Sequence, residues 1–238
     1  MIGTLLCCSK MAEISAPPPP PPNGLILRLC TSRPRMWANG TIIRVGFLSG
    51  SVAMREKVIQ YASEWFEHAN LHLVLVNIHE ADVRIAFTPG QGHWSLVGTD
   101  CHNERGHQQP TMNLHLNDWT PGRVFKRTVL HEFGHVLGFL HEHQSPVMGI
   151  KWNRPAVLAY YRKIGWKDTD VEENVFKQYD HDMSQSSRFD RLSIMLYAIP
   201  SDFTNDGFSV GWNDKLSAMD KDFAAKAYPK QPRVFFPC

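Results

Sequence analysis

The chain has 238 residues, 43 % of them hydrophobic and 20 % charged, which is enough to bury a sizeable core. A formal net charge of +2, with no basic cluster, gives no case for nucleic acid or an anionic membrane as partner. No apolar run reaches bilayer-spanning length, so membrane insertion is not expected.

In chain order, the opening MIGTLLCCSK has no basic segment before its short apolar stretch and no clear small-residue cleavage site after it, so it makes a poor secretory signal. Residues 17–22 are six consecutive prolines, a stiff extended spacer that reads as a linker rather than a ligand for an aromatic groove. Residues 1–33 are therefore a tail, 34–230 the folded domain, and 231–238 a second tail. The five cysteines, Cys7, Cys8, Cys30, Cys101 and Cys238, are odd in number and scattered. They leave room for one bridge, and without a C-x-x-C pair they support no cysteine zinc site. Asn39-Gly40-Thr41 has the form of a glycosylation acceptor, but Asn39-Gly40 is favoured as a turn into the next strand.

Residues 41–47 predict a strand, and 51–69 a helix whose buried side carries Val58, Ala62, Trp65 and Ala69. Strands follow at 71–76, 81–87, 94–98 and 111–116, then a long helix at about 123–138. Beyond Gly138 the pattern predicts short helices at 153–163 and 169–179 and irregular chain over 180–215. A closing helix at 216–228 has Leu216, Met219 and Phe223 on one side. This order suits an α+β fold, a mixed sheet with helices packed on it. The upper lobe is expected over about 34–138 and a loop-rich lower lobe over about 139–230, with a cleft between them.

The stretch HEFGHVLGFLHEH, residues 131–143, carries the chemistry. His131 and His135, four apart on a helix, leave the same face. Glu132 lies between them and is left beside a metal rather than on it, where a general base belongs. His141 reaches the same point only if the chain reverses, and Gly138 permits a left-handed turn at little steric cost. Three imidazoles with an open fourth position are a zinc site, one catalytic ion. Zinc there lowers the pKa of water towards about 7, and Glu132 accepts the proton and passes it to the departing amine. His143, next to the third ligand, is counted as a supporting or surface residue rather than a fourth ligand.

His131, Glu132, His135, Gly138 and His141 match the zinc signature of the metzincin metalloproteases. Glu142 after the third histidine, within HEHQSP, resembles the astacin branch. SIMLY at 193–197 resembles the metzincin methionine turn, and WSLVG at 94–98 is similar to the strand before the zinc helix in that family. The resemblance covers about residues 34–230 and implies a zincin fold: a twisted five-stranded mixed sheet, a long zinc helix, a loop-rich C-terminal lobe and a cleft. It also implies Met195 as the methionine beneath the metal, Tyr197 as an extra ligand that later donates to the oxyanion, and Glu142 as a contact of the matured amino terminus. It places Trp94, Ser95, Leu96 and Val97 along extended substrate. By analogy with other metzincins, a thiol of Cys7, Cys8 or Cys30 is a minor candidate for inhibiting the metal.

The expected activity is that of a zinc endopeptidase, a monomer acting on peptide or protein substrates and, by resemblance, secreted. The competing readings are a zinc exopeptidase or amidase, and a zinc-holding binding protein without turnover. The presence of Glu132 disfavours the last.

Overall fold

The protein is described by a computed structural model over residues 35–103, 108–145, 148–178 and 189–230. The expectations for the two tails, the proline run, Cys7, Cys8, Cys30 and Cys238 lie outside the described residues. Strand β1 (Ile42–Phe47) is parallel to β2 (His72–Leu75) on one side and, on the other, to β3 (Val83–Ala86), the central strand. β3 pairs in parallel with β5 (Met112–Asn113), and β4 (Trp94–Ser95) runs antiparallel to β5 at the edge. The order β2-β1-β3-β5-β4 is the mixed five-stranded sheet expected.

The last two strands are shorter than their apolar runs suggested. The β4 strand of WSLVG ends at Ser95, with one further bond from Leu96 N–H to the Thr111 carbonyl at 2.9 Å, and Gly98, at a φ of +51°, opens a 3-10 turn through Asn103. A Cβ on Gly98 would stand 1.8 Å from the carbonyl oxygen of Arg35, so the incoming chain occupies the space a side chain would need there. Leu96 and Val97 are buried beyond the strand end, and Leu96 joins the core.

Ser51 caps α1 (Val52–Phe66) by accepting the N–H of Met54. Val58, Ala62 and Trp65 follow at helical spacing and are fully buried, with Ala69 buried just beyond. The Trp65 indole donates to the Leu130 carbonyl at 2.8 Å, fastening α1 to α2 (Gly122–Val136). Removing so large a fully buried side chain costs about 3–5 kcal/mol, so Trp65 is a principal fixture of the helix on which the site is built.

A second apolar cluster is formed by α3 (Arg154–Lys163), α4 (Asp168–Val171) and the residues after them, through Val157, Tyr161, Trp166, Val171, Val175 and Phe176. The helix expected at 169–179 is instead one α-turn followed by a π-turn over Glu172–Phe176, closed by Lys177 N–H to Glu172 O at 2.8 Å. The Asn174 side chain takes the Asp170 carbonyl at 2.7 Å, so a side-chain donor competes with the regular backbone ladder at that point. Positions 179–188 lie outside the described residues.

The closing helix, α5 (Ala218–Ala227), is found where expected. Of the three apolar residues read on one side, Leu216 is buried ahead of the cap and Phe223 packs on the Phe139 ring with centroids 5.0 Å apart, whereas Met219 is 39 % exposed and its neighbour Asp220 is buried along with Ala224. Leu216, Ala224 and Tyr228 all join the first core, so the end of the chain returns to the sheet half of the molecule. No helix among the described residues is long and apolar enough to cross a membrane.

Candidate metal centre

The zinc helix ends as Gly138 requires. This glycine takes a φ of +90°, while the N–H of Phe139 bonds the Gly134 carbonyl at 2.9 Å and the N–H of Gly138 bonds the His135 carbonyl at 2.8 Å. These paired bonds form a Schellman cap, which stops α2 and sends the chain back. Two further carbonyls at this end, of Val136 and Leu137, accept from the Trp37 indole at 2.7 Å and the Tyr228 hydroxyl at 2.6 Å. The returning segment carries His141 to the face of His131 and His135. His141 Nε2 lies 3.2 Å from His131 Nε2 and 3.0 Å from His135 Nε2.

The other nitrogen of each ring is held by an oxygen. His131 Nδ1–H donates to the Ile194 carbonyl at 2.8 Å, and His135 Nδ1–H to the Phe139 carbonyl at 2.8 Å. His141 Nδ1–H faces Gln144 Oε1 at 3.2 Å, and the Gln144 amide nitrogen is itself fixed on the Glu173 carbonyl at 2.9 Å. Oxygens in these positions accept only, so the proton resides on Nδ1 and all three Nε2 lone pairs point at one another. Without a cation this is repulsive. Around tetrahedral zinc, nitrogens at the usual bond length stand about 3.3 Å apart, close to the spacing found. Burial pushes His131 down to about 4, His135 to about 3 and His141 well below the ordinary histidine range, so the rings are neutral ligands at pH 7. The residues present fit zinc, and His131, His135 and His141 would hold it.

Glu132 is fully buried, and neither carboxylate oxygen has a hydrogen-bond partner among the described residues. Burial alone raises its pKa well above the usual carboxylate value, and a divalent cation alongside is the charge that keeps such a group ionised. Met195 is buried against α2, where Gly134 has no side chain. The Tyr197 ring lies among three imidazoles, its centroid 4.6 Å from that of His141, 5.7 Å from His131 and 4.7 Å from His143. His143 is therefore neither a ligand nor a surface group. It is buried, stacks on Tyr197, and donates from Nε2 to the Asn174 carbonyl at 3.1 Å.

Glu142 Oε1 accepts the N–H of Asp190 at 3.0 Å, and burial, aided by the neighbouring charges of Asp220 and Asp190, pushes its carboxyl up to about 7. The amino-terminal contact suggested for it involves residues outside the described ones. Trp94 and Ser95 form the edge strand β4, while the side chains of Ser95, Leu96 and Val97 point into the protein. A small cleft beside His131 is lined by Arg127, Ile194, Leu196, Trp212 and Asn213, with the Arg127 guanidinium 4.5 Å above the Trp212 ring.

Sequence reasoning missed Gln144, Gly134, Asp220 and the carbonyl of Ile194. Gly134 alone left a signal, being a helix-weakening residue in the middle of a helix. Gln144 is local, three residues beyond His141, but has no distinctive pattern; Asp220 and the Ile194 carbonyl act across long stretches of chain, and no local spacing reveals them.

The sequence profile of Astacin (Peptidase family M12A) matches residues 30–228. Among solved structures, one of myroilysin superposes with a TM-score of 0.81 at 42 % identity, covering 84 % of this chain and 98 % of that one. A second myroilysin structure gives 0.66 at 41 % identity, covering 83 % and 87 %. High choriolytic enzyme 1, a hatching-enzyme zinc protease of the medaka fish Oryzias latipes, gives 0.60 at 17 % identity over 85 % and 98 %, a likeness of fold. No curated protein sequence matches the chain. With three converging imidazoles on a family match spanning most of its length, the chain belongs to the astacin family of zinc metalloendopeptidases, peptidase family M12A.

Proposed function

We propose that this zinc endopeptidase, acting as a monomer, cleaves extended polypeptides with Glu132 moving the proton and Tyr197 stabilising the developing oxyanion. The observation that carries the reading is a fully buried carboxylate, next in sequence to His131, whose oxygens have no hydrogen-bond partner among the described residues, beside a convergent set of three neutral imidazoles. Zinc in that set supplies Lewis acidity, which lowers the pKa of water and polarises a carbonyl. Glu132 accepts the proton of the attacking water and returns it to the leaving amine, the same group serving as base and then acid. Tyr197, whose ring is stacked within the histidine cluster, would donate its hydroxyl to the carbonyl oxygen as that oxygen gains charge.

Substrate adds to the free edge of β4 as another strand, held by main-chain hydrogen bonds near Trp94 and Ser95. Leu96 and Val97 offer no side chain to substrate, because both are buried, and the Leu96 N–H and C=O are already held by the Thr111 carbonyl and Ser95 Oγ, each at 2.9 Å. Strand addition at an open edge favours internal bonds over chain ends. The test is digestion of casein with and without a chelator, with the cuts mapped by mass spectrometry. Internal cuts that stop on chelation are expected; trimming confined to chain ends, or cleavage indifferent to the chelator, would overturn the reading.

A further inference from the structure

The C-terminal helix α5 buries a carboxylate beside the methionine turn. Asp220 on its first turn is 7 % exposed, and its carboxylate accepts from three donors. These are Ser193 Oγ at 2.7 Å, the N–H of Ile194 at 2.8 Å and the N–H of Ser217 at 2.9 Å. On its other side, Ile194 presents its carbonyl to His131 Nδ1–H at 2.8 Å. Ile194 is thus bonded through its N–H to the C-terminal helix and through its C=O to the first metal ligand.

We propose that Asp220 is a positioning residue for the metal centre, acting through Ile194 to aim the His131 ring and through Ser193 to seat the turn that carries Met195. The partner of a ligand's second nitrogen fixes ring rotation and tautomer, and it does so only as well as that partner is itself held. Ile194 lies in an irregular segment with no strand neighbour to hold it. A carboxylate on its N–H makes a charge-assisted bond, and hydrogen bonds in series strengthen one another, which makes the far carbonyl a better acceptor for His131. Ser193 Oγ adds a second path: it donates to Asp220 and accepts the N–H of Met195 at 3.0 Å. The N–H of Met195 and that of Ile194 are therefore both tied, directly or through one hydroxyl, to a single carboxylate.

The competing role for Asp220 is capping alone, since it closes a capping box with Ser217, whose Oγ accepts the Asp220 N–H at 2.9 Å. Two serines separate the roles. Ser217→Ala removes the cap hydroxyl, together with its bond to the Asp190 carboxylate, and leaves the Asp220–Ile194 bond. Ser193→Ala leaves the cap and removes a link to the methionine turn.

The proposal rests on the zinc reading of the site. The experiment measures zinc release from the zinc-loaded full chain into excess chromogenic chelator, and the visible spectrum of the cobalt-substituted chain. Asp220→Ala is expected to release zinc about tenfold faster, with a shifted cobalt band, and Ser193→Ala to do the same to a smaller extent. Ser217→Ala is expected to lower the melting temperature while keeping the wild-type release rate and spectrum. Should Asp220→Ala not fold, the two serine variants decide. Wild-type release in Ser193→Ala, or equal acceleration in Ser217→Ala, would overturn the proposal and leave the zinc site standing. A wild-type chain that takes up no zinc would instead end both.

Discussion

Met195 packs directly against the backbone of Gly134: a Cβ built on that glycine would stand 2.3 Å from Met195 Sδ and 3.2 Å from Trp65 Cζ2. The glycine sits between the two helical ligands, so the methionine approaches the zinc helix closely enough to floor the site. Alanine in place of glycine favours a helix by about 1 kcal/mol, whereas overpacking a filled core costs about 1–3 kcal/mol. The steric effect should win, because Trp65 is fully buried and cannot retreat. Gly134→Ala is expected to be destabilised by about 1–2 kcal/mol in chemical denaturation. Adding Met195→Ala should recover part of that loss in a double-mutant cycle. An undiminished stability in Gly134→Ala would show that the contact is slack.

The division of labour between Glu132 and the ligands predicts a separation of binding from turnover. Glu132→Ala should retain one zinc per chain by metal analysis while kcat falls by about 10²–10⁴. Tyr197→Phe keeps the ring that stacks on the imidazoles and deletes only the hydroxyl, so zinc content should hold and kcat should fall by about 10²–10³, with KM little changed. If Tyr197→Phe altered KM alone, the hydroxyl would be binding ground-state substrate and not the oxyanion.

Gln144 is the one side chain that fixes the tautomer of a ligand, since His131 and His135 are served by backbone carbonyls. Gln144→Ala should therefore weaken zinc binding about 10–100-fold in a chelator competition. His143, which touches Tyr197 but bonds none of the three ligand nitrogens, should leave zinc affinity nearly unchanged when replaced by Phe. Equal losses in both variants would mean that general packing, and not the Nδ1 bond, sets the affinity.

Away from the site, Asp82 predicts an acid-dependent stability. Burial pushes its carboxyl up, but hydrogen bonds from the Arg44 side chain and backbone, with help from His102, outweigh this and leave it below the ordinary carboxylate value. A folded-state pKa held below the unfolded one stabilises fully above the unfolded value, about 3.9, and is lost as pH falls through the folded one. Arg44 is half exposed, so solvent screening limits the contribution to about 1 kcal/mol. Asp82→Asn should thus be less stable than wild type at pH 7, and the gap should narrow below pH about 4 as the wild-type carboxyl protonates. A gap constant down to pH 2 would assign the loss to packing.

The identity of the ligands, the helix that carries two of them and the reversal that brings the third were all legible in one run of residues, 131–143. Each depends on local geometry: four residues make one helical turn, and only a residue without Cβ enters a left-handed turn cheaply. The five strands were legible as an inventory, but the short lengths of β4 and β5 were not; after β4 the chain turns at Gly98, where the distant Arg35 carbonyl leaves no room for a side chain, a contact that no local pattern shows. On the closing helix, Leu216 and Phe223 meet the core as read, but Met219 does not. Met219 is the more apolar residue, yet the buried position goes to Asp220, whose carboxylate has three donors waiting in the methionine turn and at its own cap. Sequence by itself determined which atoms meet a metal, since that follows from spacing along one helix and one turn. Tertiary structure decided how His131 is aimed, because its Nδ1 bonds the carbonyl of Ile194, 63 residues on, and Ile194 is itself held by Asp220, whereas His135 and His141 are aimed by the nearby Phe139 carbonyl and Gln144 side chain; hydrogen bonds across the fold carry no sequence period.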